Sequence, residues 1–266
     1  MRVVTLIENT EGAAGCAFEH GLSLYIETGH HKILSDAGAS GAAVKNAEIL
    51  GIDLSLADIC VISHGHYDHG DGLKEFFNVN SKARIIMQQG ADEPHFNGDR
   101  YIGIDPEILK DSRIEYIDGT LEVDSEISIF AGVTGRRLWP SGNRSMTRTA
   151  ERLPEDFAHE QYLVLTEGAK KVLISGCAHN GILNILDRYR ELFGADPYMV
   201  ISGFHMMKPA EYEPSELELI KETARELSGM KTVFYSGHCT GAAFEHMKKI
   251  MGEQLQRLST GLTISI

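Results

Sequence analysis

The 266-residue sequence predicts an α/β fold in which two mixed sheets pack face to face with helices outside. Two observations carry this expectation: short β-branched and apolar runs bounded by Gly, Asp and Asn recur along the chain, and helix-period segments separate some of them. The strand-like runs begin at Val3–Ile7 and continue through Leu22–Glu27, Lys32–Ser35, Ile59–Ser63, Arg84–Met87 and Ile127–Ala131. The second half adds Tyr162–Thr166, Lys171–Ser175, Tyr198–Ser202, Thr232–Ser236 and Leu262–Ile266. Helical spacing marks Ala42–Leu50, Gly72–Phe77, Ile182–Phe193, Glu216–Leu227 and Ala242–Leu258. The helix at Glu216 is announced by Pro214, by Ser215 as its cap and Glu218 three residues on, with Gly229 to end it. No low-complexity linker and no fixed-period repeat divides the chain, so a single domain over 1–266 is expected. The basic, Pro- and Gly-containing stretch Arg136–Pro154 reads as a long loop, a place where function often resides.

Composition narrows the partners. Acidic residues outnumber basic ones 38 to 25, a formal charge of −13, which argues against broad binding to nucleic acid or an anionic membrane. No run approaches the roughly 18 apolar residues of a membrane span. The N-terminus lacks the charged start and long apolar stretch of a signal peptide, so a cytoplasmic location is expected. Cys16, Cys60, Cys177 and Cys239 are far apart and form no CxxC pair, which predicts free thiols.

The chemistry concentrates in Ser63-His64-Gly65-His66-Tyr67-Asp68-His69-Gly70, directly after the apolar run Ile59–Ile62. Residues two apart in an extended segment project to the same side, so His64 and His66 can converge on one ion. Asp68 and His69 lie just beyond and can reach a second. Nitrogen and carboxylate donors suit Zn, Fe or Mn, ions that lower the pKa of bound water toward neutrality.

His-x-His-x-Asp-His after a strand resembles the metallo-β-lactamase superfamily. The resemblance implies a four-layer αβ/βα sandwich with a metal site at one edge. Glu19–Ser23, Asp36-Ala37-Gly38, Ser63–Leu73, Ser175–His179, Gly203-Phe204-His205 and Gly237–Gly241 extend the likeness over nearly the whole chain. They resemble a branch labelled 7,8-dihydropterin-6-methyl-4-(β-D-ribofuranosyl)-aminobenzene-5'-phosphate synthase-like. His238 stands where the superfamily places its last histidine, which implies a ligand of the second ion. His179 follows a strand in the same way and is the expected third ligand of the first ion. Gly176-Cys177 falls where Gly-Asp often stands, so either Cys177 is a thiolate ligand, or His179 replaces the histidine missing between the motifs, or both. His95, in the polar turn Asp92-Glu93-Pro94-His95, and His159 are rival third ligands, His95 reading as a surface loop residue. Asp36 is expected to orient a metal-bound histidine.

The expected function is a dinuclear, metal-dependent hydrolase that turns a metal-bound hydroxide on a small anionic substrate, phosphorylated by preference. Two divalent transition-metal ions are its cofactors, zinc first and Fe or Mn as alternatives. Asp68 orients the attacking water and His205 relays protons, while His20, Arg136, Arg137 and Arg144 bind substrate. The arginines are chosen because five fall between Arg136 and Arg152 in an acidic protein, and guanidinium forks suit phosphate or carboxylate. Trp139 in the same stretch either stacks on a flat ring or anchors the loop. No GxxxxGK[ST] occurs, so nucleoside triphosphate chemistry is not expected. A synthase displacing pyrophosphate from a phosphoribosyl donor is a variant of the same site. A diiron redox protein is disfavoured because such relatives carry glutamate where this chain has His66. A non-catalytic ligand-binding protein of this fold is the remaining alternative.

Overall fold

The computed structural model describes residues 1–266. Two seven-stranded sheets face each other. The first runs in the order Thr263–Ser265, Arg2–Ile7, Ser23–Glu27, Lys32–Ser35, Ile59–Val61, Arg84–Gln88, Ile114–Ile117. The second runs Leu255–Arg257, Val233–Ser236, Met199–Ser202, Lys170–Ser175, Tyr162–Glu167, Ile127–Phe130, Leu121–Glu122. Each is antiparallel on one side and parallel on the other. Lys32–Ser35 pairs in parallel with Ile59–Val61 and onward, and Lys170–Ser175 in parallel with Met199–Ser202 and onward. Strand periodicity explains the layering. Ile59 and Val61 point inward against Leu163, Leu165, Val172 and Ile174 of the other sheet. Cys60 and Ile62 point outward to Leu73 and Phe76 of a helix. Tyr162 and Val164 likewise face Ile182 and Leu186 on the far side. The strands are apolar on both faces because both faces are covered. The architecture is the four-layer αβ/βα sandwich expected.

Several boundaries differ from the sequence reading. The helix expected over Ala42–Leu50 spans Ala42–Ile49, and that at Gly72 spans Leu73–Val79. The helix Pro214–Ser228 is capped by Glu213, which forms a capping box with Glu216; Pro214 occupies its first turn, so Ser215 lies inside it. The last helix stops at Met251 because Gly252 takes a left-handed φ of 55°, and Leu255–Arg257 becomes an edge strand instead of its continuation. A four-stranded sheet not foreseen combines His95–Asn97, Arg100–Tyr101, Met146–Arg148 and Leu153–Pro154. The Arg136–Pro154 stretch is therefore only partly loop. No helix is long and apolar enough to cross a membrane.

Candidate metal centre

Strand Ile59–Val61 delivers the chain in extended form to His66 (φ −99°, ψ 146°), where it turns into the short helix Tyr67–Gly70 with Asp68 in the first turn and His69 in the last. His179 lies beyond the end of Lys170–Ser175, and His238 beyond the end of Val233–Ser236. All these residues thus leave the C-terminal ends of parallel strands, and the two sheets bring them to one edge. Backbone strain gathers there. Asp36, Ala178, His205 and His238 are four of the eight non-glycine residues with positive φ, a conformation costing on the order of 1–3 kcal/mol each. Gly176 is needed for close approach, because a Cβ there would stand 2.1 Å from Ser63 Oγ.

Two donor groups result. The donor atoms of His64, His66 and His179 lie within 4.8 Å of one another, as do those of Asp68, His69, Cys177 and His238. The ring centroids of His64 and His69 are 4.3 Å apart, so the groups adjoin. The metal-ligating residues expected from sequence are therefore brought together, and Cys177 joins them.

The hydrogen bonds around the rings leave the right nitrogens free. Asp36 accepts from Ser63 N–H (2.7 Å) and Ser63 Oγ–H (2.9 Å), so Ser63 Oγ is left to accept from His64 Nδ1 at 2.9 Å. Asp36 also accepts from His69 Nδ1 at 2.7 Å, the contact that its expected orienting role requires. Asn143 Oδ1 accepts from His179 Nδ1 (3.0 Å), and Asn9 Oδ1 from His238 Nδ1 (2.9 Å). With Nδ1 protonated in His64, His179 and His238, their Nε2 lone pairs point at the donor groups. The Nε2 atoms of His64, His66 and His179 are buried with no partner. Buried polar atoms are rarely left so, and a divalent cation fits them.

Electrostatics agree. Burial, with the neighbouring imidazoles adding to it, holds His64, His66 and His179 neutral well below the usual histidine range. Burial would raise the Asp68 carboxyl, but His69, His238 and His20 outweigh it and keep it ionised. Burial would lower His69, yet Asp36 and Asp68 push it up to about 9.

Of the two rival histidines, His95 is placed differently from expectation. His95 is not a surface residue: it is fully buried in a strand, with Nδ1 2.7 Å from Glu155 Oε2 and Nε2 3.1 Å from Gly90 O. Both of its nitrogens are thus engaged. His159 Nδ1 accepts from Gly65 N–H (3.0 Å), so its Nε2 carries the ring proton and faces Glu155 at 3.5 Å. Although the donor atoms of His66, His95 and His159 also approach within 4.8 Å, the rivals offer no free lone pair.

A cavity of about 560 Å³ opens over the centre, lined by His20, His66, Asp68, Cys177, His179 and His205 among others. His20 Nε2 lies 3.3 Å from Asp68 Oδ2, its tautomer set by Asn9 Nδ2–H donating to Nδ1 (3.1 Å). The arginine expectation is corrected. Arg136 donates to Asn180 Oδ1 (3.0 Å) and Asp156 O (3.1 Å), and Arg137 is held by Asp187 (2.8 Å) and Glu226. Arg144 is exposed, and none of the three lines the cavity. The Arg136 and Arg137 guanidiniums are spent on amide, carbonyl and carboxylate oxygens of the fold. Trp139 packs on Phe157 as a loop anchor. The cations that do line the cavity are Arg100 and Lys208, the latter 2.6 Å from Glu216. Neither these nor Asn9, Asn143 and Glu160, which receives the backbone N–H groups of His179 and Asn180, belongs to a recognisable sequence pattern. Only the abrupt polar break Glu8-Asn9-Thr10 after an apolar strand hinted at one of them.

No protein-family profile matches the chain. Among curated proteins, it is 31% identical over 207 residues to the uncharacterised protein MJ0448 of Methanocaldococcus jannaschii, covering 76% of this chain and 78% of that one. It is 25% identical over 293 residues to the 7,8-dihydropterin-6-methyl-4-(β-D-ribofuranosyl)-aminobenzene-5'-phosphate synthase of the same organism, covering 99% and 96%. Among solved structures, Tm1679, described as a metal-dependent hydrolase of the β-lactamase superfamily, superposes with a TM-score of 0.85 at 31% identity over 100% of this chain and 99% of its own. Zinc-bound PqqB from Methylobacterium extorquens shares the fold at a TM-score of 0.58 and 11% identity, covering 100% of both chains. The donor motif, the layered sheets and a full-length relative at this identity place the chain in the metallo-β-lactamase superfamily.

Proposed function

We propose that the chain is a metal-dependent hydrolase that uses two divalent transition-metal ions, zinc foremost, on small anionic, phosphorylated substrates. The observation that carries this reading is the pair of adjoining donor groups beneath an open cavity, the first with the Nε2 atoms of His64, His66 and His179 buried and unpartnered, the second with its donors turned on one another. When bound, the ions would supply activated water and neutralise charge developing on the substrate. His64, His66 and His179 would hold one ion, and Asp68, His69 and His238 the other. The ionised Asp68 would orient the attacking water. His205, in the cavity wall with Nδ1 buried and unpartnered, would hold a proton for the leaving group on its other ring nitrogen, Nε2. Arg100 and Lys208 would receive the anion, with His20 beside Asp68. Imidazole and carboxylate donors suit zinc, and a thiol beside them favours it over magnesium.

The test is elemental analysis after supplementation with Zn, Mn or Fe, together with turnover of bis(4-nitrophenyl) phosphate. Close to two ions per chain and loss of turnover in a folded Asp68→Ala are expected; failure to take up any ion sinks the reading. A second reading is favoured by the synthase relative matched over 99% of this chain. In that case the same centre would hold the pyrophosphate leaving group of a phosphoribosyl donor, and pyrophosphate release would replace hydrolysis.

A further inference from the structure

The proposed reaction leaves Cys239 unused, yet its surroundings are unlike those of an ordinary buried thiol. Cys60 packs in the apolar layer beneath the helices, where cysteine behaves as a small hydrophobe. Cys177 and Cys239 instead line the cavity, at 2% and 4% exposure. Cys239 Sγ lies 3.3 Å from the carbonyl oxygen of Cys177 and accepts the backbone N–H of His205 at 3.2 Å. Room for it is made by Gly203, since a Cβ at that position would sit 2.3 Å from the sulfur. His205 takes a left-handed φ of 49°, and its ring packs 3.9 Å from that of His179 with Nδ1 buried and unpartnered.

The donor atoms of Cys177, His205 and Cys239 all lie within 4.8 Å of one another, and all three residues line the same cavity. We propose that Cys177, His205 and Cys239 form an additional, thiophilic metal site with an open coordination position facing the substrate cavity. Two thiolates and one imidazole are a recurrent zinc set that keeps a fourth position for water or substrate. Sulfur donors select Zn(II) or Cu(I) over Mg(II) and Mn(II). Binding releases the two thiol protons to solvent as the two metal–sulfur bonds form. Cys177 Sγ also lies 3.2 Å from His69 Nε2, so its sulfur would be shared between this ion and the one held by Asp68, His69 and His238.

The experiment compares the wild-type chain with Cys239→Ser and His205→Gln; Cys177 is avoided because both groups use it. Metal-free protein is loaded with Zn(II) or Co(II), freed of excess by gel filtration, and analysed for ions per chain and for near-ultraviolet sulfur-to-cobalt charge transfer. Wild type should hold one ion more per chain than either variant. The charge-transfer band of Cys239→Ser should fall to about a third, because two of the three sulfur–cobalt bonds go with the ion and only that of Cys177 to the neighbouring ion remains. Circular dichroism and thermal unfolding establish that the variants are folded. An equal metal count and band in wild type and Cys239→Ser overturns the site while leaving the two-ion reading intact. Loss of every ion from a folded Cys239→Ser also overturns it as a separate site. Absence of metal from wild type itself defeats both readings.

Discussion

The Nε2 atoms of His69 and His238 lie 3.1 Å apart although 169 positions separate the residues. Two nitrogens held roughly 2.0–2.1 Å from one tetrahedral zinc stand about 3.3 Å apart, so the pair is already spaced for a shared ion. Without one, His69 keeps a proton at neutral pH, because Asp36 and Asp68 outweigh burial and raise its pKa to about 9.

That proton must leave when the ion enters. Affinity for the ion of this group should therefore rise with pH, about tenfold per unit, up to the His69 pKa. His64, His66 and His179 are held neutral and should impose no such dependence on the other ion. Competition with a chromophoric chelator at several pH values below 9 measures both. Two equally pH-insensitive affinities would refute this picture.

Asn9 fixes the tautomers of His238 and His20 through its amide oxygen and nitrogen. Replacing it with alanine should weaken the ion held by His238 by about 10–100-fold, the usual cost of losing a partner that orients a ligand. The ion of His64, His66 and His179 should be retained. Calorimetric titration with Zn(II) distinguishes selective loss from none.

Arg100→Ala should raise KM for a phosphorylated substrate by about ten- to hundredfold, the worth of about 1.5–3 kcal/mol for a charged hydrogen bond, and leave a neutral ester unaffected. Arg137→Ala should alter thermal stability but not KM, since its partners are Asp187 and Glu226. The reverse pattern would restore the arginine-rich loop as the anion site.

Glu155 is 1% exposed at its side chain. Burial would raise its pKa, but His159 and His95 outweigh that and hold it well below the usual carboxyl range. Its ionised form thus stabilises the fold fully above the unfolded carboxyl pKa of about 4.3, and the contribution is lost as pH falls below that value. Glu155→Gln should destabilise the neutral protein by about 1.5–3 kcal/mol, the worth of a hydrogen bond to a charged group. The gap to wild type in denaturant titrations should narrow in acid; a gap that widens there contradicts the assignment.

Gly176→Ala would drive a Cβ to 2.1 Å from Ser63 Oγ and 2.8 Å from its Cβ. The Asp36–Ser63–His64 chain must then shift, costing about 1–3 kcal/mol of stability and weakening the first ion. Thermal unfolding with and without Zn(II) reports both; an unchanged metal-induced rise in Tm would show that the chain tolerates the movement.

Much of this architecture could be read before the structure because it depends on local pattern. Alternating apolar residues mark the strands, and His64, His66, Asp68 and His69 sit within six residues whose spacing alone sets their direction. His179 and His238 could be anticipated from their places after strands. What stayed hidden depends on partners far away in sequence. The acidic turn before His95 reads as surface, but Glu155, 60 residues on, buries the imidazole by pairing with it. The arginine cluster looks like an anion site until Asp187, 50 residues from Arg137, is seen to occupy it. Hydrogen-bonding roles such as that of Asn9 have no periodicity to betray them.

The dependence of His238 on the first strand also sets a timetable for synthesis. Glu8 receives the His238 backbone N–H and Asn9 its imidazole proton, from 230 and 229 residues away. Strand Arg2–Ile7 pairs with Ser23–Glu27 early and gains its outer neighbour only when Thr263–Ser265 arrives. On the ribosome, His64, His66 and His179 emerge well before His238 and its supporting strand can meet. The nascent chain therefore exposes all the donors of one group while the other still lacks His238.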